Sequence, residues 1–129
     1  MTDIDLMFTS SVSDLSDEAR KFGLPTLIGD PKTMQASFAA NSPLKRAAEI
    51  RQPLLLAYGG LDERVPEEHG TRFRDAVKPT NHDVEWIFYP EEGHGWYARK
   101  TNRDFWGRVE RFLARTTAPL VKPGAAGAP

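Results

Sequence analysis

The 129-residue sequence contains no cysteine. This absence excludes disulfide bonds, thiolate nucleophiles and zinc sites built from thiolates, and it leaves the redox compartment undetermined. Long apolar runs are also missing, because no stretch approaches the roughly 20 residues that a helix needs to span a bilayer. We therefore expect no transmembrane segment in this chain.

An excess of charge of either sign is absent as well. The formal net charge is −1, from 17 basic and 18 acidic residues. This balance gives no electrostatic reason to expect a nucleic acid or an anionic membrane as a partner. The first residues lack the basic region and apolar stretch of a signal peptide, so a cytoplasmic location is the default expectation.

Metal ligands with a recognisable spacing are missing too. His82 and Asp83 are adjacent, but no third ligand is spaced to join them. We therefore expect no metal and no cofactor.

The amino-acid composition is typical of one soluble globular domain. Hydrophobic residues make up 40% of the chain and charged residues 27%, both ordinary values for such a domain. The exception is the Pro/Gly/Ala-rich end, which has little to bury. We predict a folded domain over residues 1–116 and a disordered tail over residues 117–129.

The first third of the chain predicts helices and loops. Ser13 or Asp14 can cap a short helix that stops at Gly23. Asp30 followed by a proline begins a second helix that reaches about Ala40.

The rest of the chain alternates strands with helices. Residues 53–58 form a continuous apolar run, which suits a strand buried on both faces, and residues 84–89 are aromatic and β-branched. Helices are predicted over residues 66–78 and from Thr101 onward. This order predicts an α/β fold with parallel strands and flanking helices.

Two residues with catalytic chemistry follow the two predicted strands. Asp62 follows the first strand, and His94 follows the second. In open parallel sheets, catalytic groups lie beyond the carboxyl ends of the strands, so both side chains are expected at one edge. There they could form the supporting pair of a nucleophilic triad. Each residue also has an ordinary interpretation, as a turn or cap and as a loop residue, and the pattern alone leaves both open.

The neighbours of His94 are candidates for a substrate cleft. Gly93 and Gly95 flank the histidine and allow substrate to approach the backbone. Trp96 is close enough to line the same cleft, whereas Trp86 and Trp106 are expected in the core.

Other titratable residues receive a simpler interpretation. We expect His69, in the first turn of a helix, and His82, in a turn, to be solvated. Glu91 and Glu92 could suggest a carboxylate pair for acid/base chemistry. Adjacent residues on a loop usually point apart, so we expect solvation of both.

At two places the sequence resembles a known family. Residues 53–66, an apolar strand followed by Gly59-Gly60-Leu61-Asp62-Glu63-Arg64-Val65-Pro66, resemble the catalytic-Asp region of prolyl oligopeptidase family hydrolases. Residues 84–95, which end in Glu91-Glu92-Gly93-His94-Gly95, are similar to the His loop of that family. The resemblance covers roughly residues 2–116. It implies the C-terminal portion of an α/β-hydrolase catalytic domain, with Asp62 and His94 as triad residues and a peptide as substrate of the intact enzyme.

The departure from the family pattern concerns the nucleophile. In α/β-hydrolases the serine precedes the Asp and His within a Gly-x-Ser-x-Gly turn, and no serine of this sequence has those flanking glycines. The nucleophile half is therefore expected to be missing, as in a truncated gene product or excised fragment that is inactive alone. The strand at residues 53–58 would then have an unpaired edge, through which the chain could self-associate.

Two alternatives to a peptidase remain open. The same fold serves carboxylesterases and dienelactone-hydrolase-like enzymes, because fold does not determine substrate. A non-enzymatic binding or assembly module is the alternative from a different functional class.

Overall fold

The computed structural model describes residues 1–117, so the predicted tail lies, apart from Thr117, outside the described residues. None of the helices within this range is long and apolar enough to cross a bilayer. In chain order the elements are α1 (Ile4–Thr9), a π-helical turn (Ala19–Gly23), α2 (Leu24–Ile28), α3 (Gln35–Asn41), a 3₁₀ helix (Pro43–Glu49), β1 (Leu54–Gly59), α4 (Glu67–Val77), β2 (Val84–Tyr89) and α5 (Arg99–Thr116).

The two strands form a parallel pair. Their register runs from Leu54 opposite Val84 to Gly59 opposite Tyr89, and α4 provides the connection between them. Parallel neighbours require such a crossover because the chain must return to the starting edge of the sheet. The predicted alternation of strands and helices with a parallel pair is therefore confirmed.

The hydrophobic core lies between α4, the 3₁₀ helix and one face of the sheet. Val77 is completely buried, and Phe73 and Ala47 are nearly so. Gly70 lets α4 approach closely, because a Cβ at this position would lie 2.5 Å from the ring of Tyr58. The cluster is completed by the partly buried residues Leu44, Ile50, Leu54, Leu56, Ala76 and Val84.

The helical first third differs from the prediction in where its helices begin and end. Gly23 does not stop a helix: its φ of −70° is helical, and the chain continues through α2. The helix ends at Gly29, whose φ of 105° is the left-handed conformation that favours glycine. The Asp30 carboxylate caps a turn by accepting the backbone N–H of Lys32, and α3 begins only at Gln35.

Helix α5 lies beside β2, and its apolar stripe, formed by Phe105, Val109 and Phe112, is only partly buried. Phe105 is half-buried against Trp96, with ring centroids 5.3 Å apart. Trp106 is 61% exposed, so its expected place in the core is wrong. Its ring packs edge-on against Phe105 at the flank of the stripe. At the far end of α5, Arg115 forms an ion pair with Asp83 at 2.6 Å.

Candidate active site

The loops after β1 and β2 bring Asp62 and His94 together at one edge of the sheet. The Nδ1 atom of His94 lies 2.9 Å from Oδ2 of Asp62. The contact follows from the parallel pairing, because both strands deliver their next loop to the same edge.

The carboxylate of Asp62 is held by its own loop. Oδ1 accepts the backbone N–H of Arg64 at 2.9 Å and that of Val65 at 2.8 Å, which leaves Oδ2 for the imidazole. The Asp62 side chain is only 9% exposed. The aspartate is therefore a fixed acceptor, and the histidine must turn Nδ1 toward it.

The imidazole of His94 has one nitrogen engaged and one available. A carboxylate can only accept, so Nδ1 carries the proton of the shared hydrogen bond, and in the neutral imidazole Nε2 then has the lone pair. Within residues 1–117 the structure gives Nε2 no hydrogen-bond partner, and the side chain is 51% exposed. Nε2 can thus take a proton from a hydroxyl placed beside it.

The two loops are also joined through their backbones. The N–H of Gly60 donates to the carbonyl of Tyr89, and the N–H of Leu61 donates to the carbonyl of Glu92, both at 2.9 Å. A Cβ at Gly59 would lie well under 3.0 Å from the carbonyl oxygens of the second loop. This close approach requires glycine at position 59.

A shallow cavity of about 390 Å³ borders the Asp62–His94 pair. Gly93, Gly95 and Trp96, the residues predicted for a substrate cleft, all contribute to its wall. Trp96 is also packed from behind, since its ring contacts Tyr89 edge-on with centroids 4.9 Å apart. Packing against Tyr89 and Phe105 therefore sets the orientation of the Trp96 ring in the cavity wall.

Tyr58 is a cavity residue that no motif of the sequence indicates. It stacks on Trp86 with ring centroids 5.4 Å apart and lines the cavity beside Asp62. Burial, together with the negative charge of Asp62, raises the pKa of the Tyr58 hydroxyl above its usual value. The phenol therefore stays protonated at neutral pH.

Two titratable residues expected to be solvated are buried instead. Glu92 is 5% exposed and accepts backbone N–H groups from Tyr97 and Ala98. His69 is 2% exposed, where Nδ1 accepts the backbone N–H of Thr2 at 3.4 Å. The expectation of solvation is wrong for both, whereas Glu91 and His82 are exposed as expected.

Comparison with known proteins identifies the wider group to which this site belongs. The sequence profile of the prolyl oligopeptidase family matches residues 7–119. Dipeptidyl aminopeptidase BIII of Pseudoxanthomonas mexicana is 33% identical over 98 residues, which cover 74% of this chain and 14% of that enzyme. A putative carboxymethylenebutenolidase of Yersinia pestis is 34% identical over 90 residues, which cover 64% of this chain and 32% of that protein.

The structure is also similar to that of a solved hydrolase. The crystal structure of puromycin hydrolase matches with a TM-score of 0.78 and 26% identity, covering 99% of this chain and 18% of that one. The chain thus spans less than a third of the length of this hydrolase and of the two relatives above. Its fold is the expected portion of an α/β-hydrolase fold, with parallel strands and flanking helices. The chain belongs to the prolyl oligopeptidase family of serine hydrolases.

Proposed function

We propose that His94 is the general base, and then the general acid, of a Ser-His-Asp triad that hydrolyses peptide bonds, and that Asp62 is the carboxylate that orients it. The observation that carries this proposal is the 2.9 Å contact between Oδ2 of Asp62 and Nδ1 of His94, with Nε2 left available beside a cavity. The third member is a serine hydroxyl contributed by polypeptide outside this sequence.

The proposed reaction proceeds through an acyl-enzyme. His94 Nε2 takes the proton of the serine hydroxyl as its oxygen bonds to the scissile carbonyl carbon. The same nitrogen then gives that proton to the leaving amine, the C–N bond breaks, and water releases the acyl group by the reverse sequence. Asp62 stays ionised throughout, holds the Nδ1–H tautomer and stabilises the imidazolium.

The chain alone is proposed to be inactive. Removing the nucleophile leaves at best a residual of about 10³–10⁴-fold over water, supplied by the oxyanion hole and the substrate site. Part of the oxyanion hole is the backbone N–H after the nucleophile, so that part would come from the same external segment. Hydrolysis of an aminoacyl-p-nitroanilide by the purified chain, abolished by His94→Ala, would contradict this.

A chimera tests the catalytic roles directly. The 98-residue region aligned with dipeptidyl aminopeptidase BIII replaces the matching region of that enzyme, and hydrolysis of a dipeptidyl-p-nitroanilide is followed. We expect Asp62→Asn to reduce kcat by about 10⁴-fold, because the tautomer is lost, and His94→Ala to reduce it at least as much. His82→Ala is the matched control and should leave kcat unchanged. Full activity of the His94→Ala chimera would overturn the assignment.

A carboxylic-ester hydrolase is the second candidate. The similarity to putative carboxymethylenebutenolidases favours it, because a butenolide, the group in that name, is a cyclic ester. The analogous chimera built on the Yersinia pestis protein, assayed with a p-nitrophenyl ester, distinguishes the two substrates. If both chimeras hydrolyse esters and neither hydrolyses anilides, the result favours this candidate.

A further inference from the structure

A buried carboxylate lies at the base of the loop that carries His94. We propose that Glu92 is a positioning residue that holds this loop against Asp62, so that the imidazole meets the aspartate with Nδ1. The inference rests on the proposed function of the Asp62–His94 pair. It assigns Glu92 no contact with substrate.

The contacts of Glu92 connect three parts of the site. Its backbone N–H donates to the carbonyl of Tyr89 at the end of β2, at 3.2 Å, and its own carbonyl accepts the N–H of Leu61 from the Asp62 loop at 2.9 Å. Its carboxylate accepts the backbone N–H of Tyr97 at 2.7 Å and that of Ala98 at 3.1 Å. Glu92 thus anchors the segment that carries His94 at both ends, through its backbone before the histidine and through its carboxylate after it.

Beyond Glu92, the His94 segment is held at Trp96, whose ring packs on Tyr89 and whose carbonyl accepts a hydrogen bond from the Asn102 amide. Glycines flank the histidine on both sides, and Gly95 has a φ of 135°, so the backbone has more freedom here than at other residues. A backbone bond from the N–H of Gly95 to the carbonyl of Gly93 shapes the tip of the loop. The imidazole is half exposed, and its only hydrogen bond within the described residues is to Asp62. Its position therefore depends on the two anchored ends.

An ionised carboxylate suits this task better than an amide. The Glu92 carboxylate accepts the two backbone N–H groups, and the hydroxyl of Thr101 and the positive charge of Lys100 lie near it. These groups, first the Thr101 hydroxyl, lower the pKa of Glu92 below its usual value. The first turn of α5 adds favourable N–H dipoles to the same carboxylate. In Glu92→Gln the amide NH₂ would face a donor, so at least one contact would be lost.

The tautomer of His94 is the readout that separates positioning from mere stability. Nitrogen NMR of the ¹⁵N-labelled chain gives the fraction of neutral imidazole protonated at Nδ1, with Asp62→Asn as the unpaired reference. We expect Glu92→Gln to move this fraction toward the Asp62→Asn value. Amide exchange at Tyr97 and Ala98 should accelerate about tenfold, the factor for losing one bond to a charged group. Glu91→Gln, a neighbouring exposed carboxylate, should change neither quantity.

The outcomes distinguish this inference from the proposed function. A Glu92→Gln chain with a wild-type tautomer fraction overturns the positioning role, even if amide exchange accelerates, because the residue would then be only structural. An Asp62→Asn chain with a wild-type fraction instead overturns the Asp62–His94 pairing itself. If Glu92→Gln prevents folding, Glu92→Asp keeps the charge but draws the carboxylate back from the N–H groups of Tyr97 and Ala98, and it decides the question by the same measurement.

Discussion

The backbone N–H of Leu61 donates to the carbonyl oxygen of Glu92 at 2.9 Å, so the loop that carries Asp62 is hydrogen-bonded to the loop that carries His94. The contact is possible because Gly59, at the end of β1, has no side chain to separate the loops. The geometry of the pair is therefore set by backbone contacts as well as by the two side chains.

Gly59→Ala should disrupt this junction. The added Cβ would lie well under 3.0 Å from two backbone carbonyl oxygens, which cannot move as a flexible side chain could. We expect a loss of about 1–3 kcal/mol in the free energy of unfolding, measured by urea denaturation. Gly23→Ala is the control: its φ is −70° and nothing lies within 4 Å, so it should gain about 0.4–1 kcal/mol. A Gly59→Ala chain as stable as the wild type would contradict the close approach.

Phe73→Ala should cost far more stability than the same change at an exposed ring. Phe73 is 6% exposed between α4 and the 3₁₀ helix, and its removal leaves a cavity. We expect a loss of about 3–5 kcal/mol in the free energy of unfolding. Phe22 is 62% exposed, and Phe22→Ala should stay within about 0.5 kcal/mol of the wild type. Equal losses in the two variants would show that the core lies elsewhere.

Stability should fall on mild acidification because of His69. Burial lowers the pKa of this imidazole below its usual value. Below about pH 6.5 the unfolded chain therefore binds a proton that the folded chain does not. The contribution of the neutral His69 to the free energy of unfolding is complete above that pH. It is lost as the pH falls toward the pKa of His69 in the folded chain.

His69→Asn isolates this effect. Asparagine keeps an acceptor for the backbone N–H of Thr2 but does not titrate in this range. Urea denaturation between about pH 7.5 and about pH 5.5 should show a shallower pH dependence in this variant than in wild type. His82→Asn alters an exposed histidine and should keep the wild-type slope. Parallel slopes for all three chains would count against a titrating His69.

The chain should self-associate through β1. Within residues 1–117 this strand pairs only with β2, so its other edge presents unpaired N–H and C=O groups on an apolar strand. We expect the sedimentation coefficient to rise with protein concentration. Leu55→Lys places a charge on the edge strand and should suppress the association, whereas Leu27→Lys, at an exposed position of α2, should not. A monomer at every concentration would contradict this prediction.

The sequence by itself determined the order of the strands and the edge of the sheet at which Asp62 and His94 meet. Residues 53–58 and 84–89 are mostly apolar, aromatic or β-branched, and a helix between two such strands is typical of parallel pairing. Once two neighbouring strands are parallel, the residues after them reach one edge. The meeting of Asp62 with His94 could therefore be predicted without knowledge of any loop conformation.

Only the tertiary structure decided which individual loop and helix side chains are buried. Glu91 and Glu92 are adjacent and chemically identical, yet one is exposed and the other accepts the N–H groups of Tyr97 and Ala98. His69 and Trp106 were likewise assigned to the wrong environment. A strand or helix repeats its inward face at a fixed period, so a pattern reveals it. A loop has no such period, and even on a helix the width of the buried face, which decided the environments of His69 and Trp106, depends on where distant segments pack.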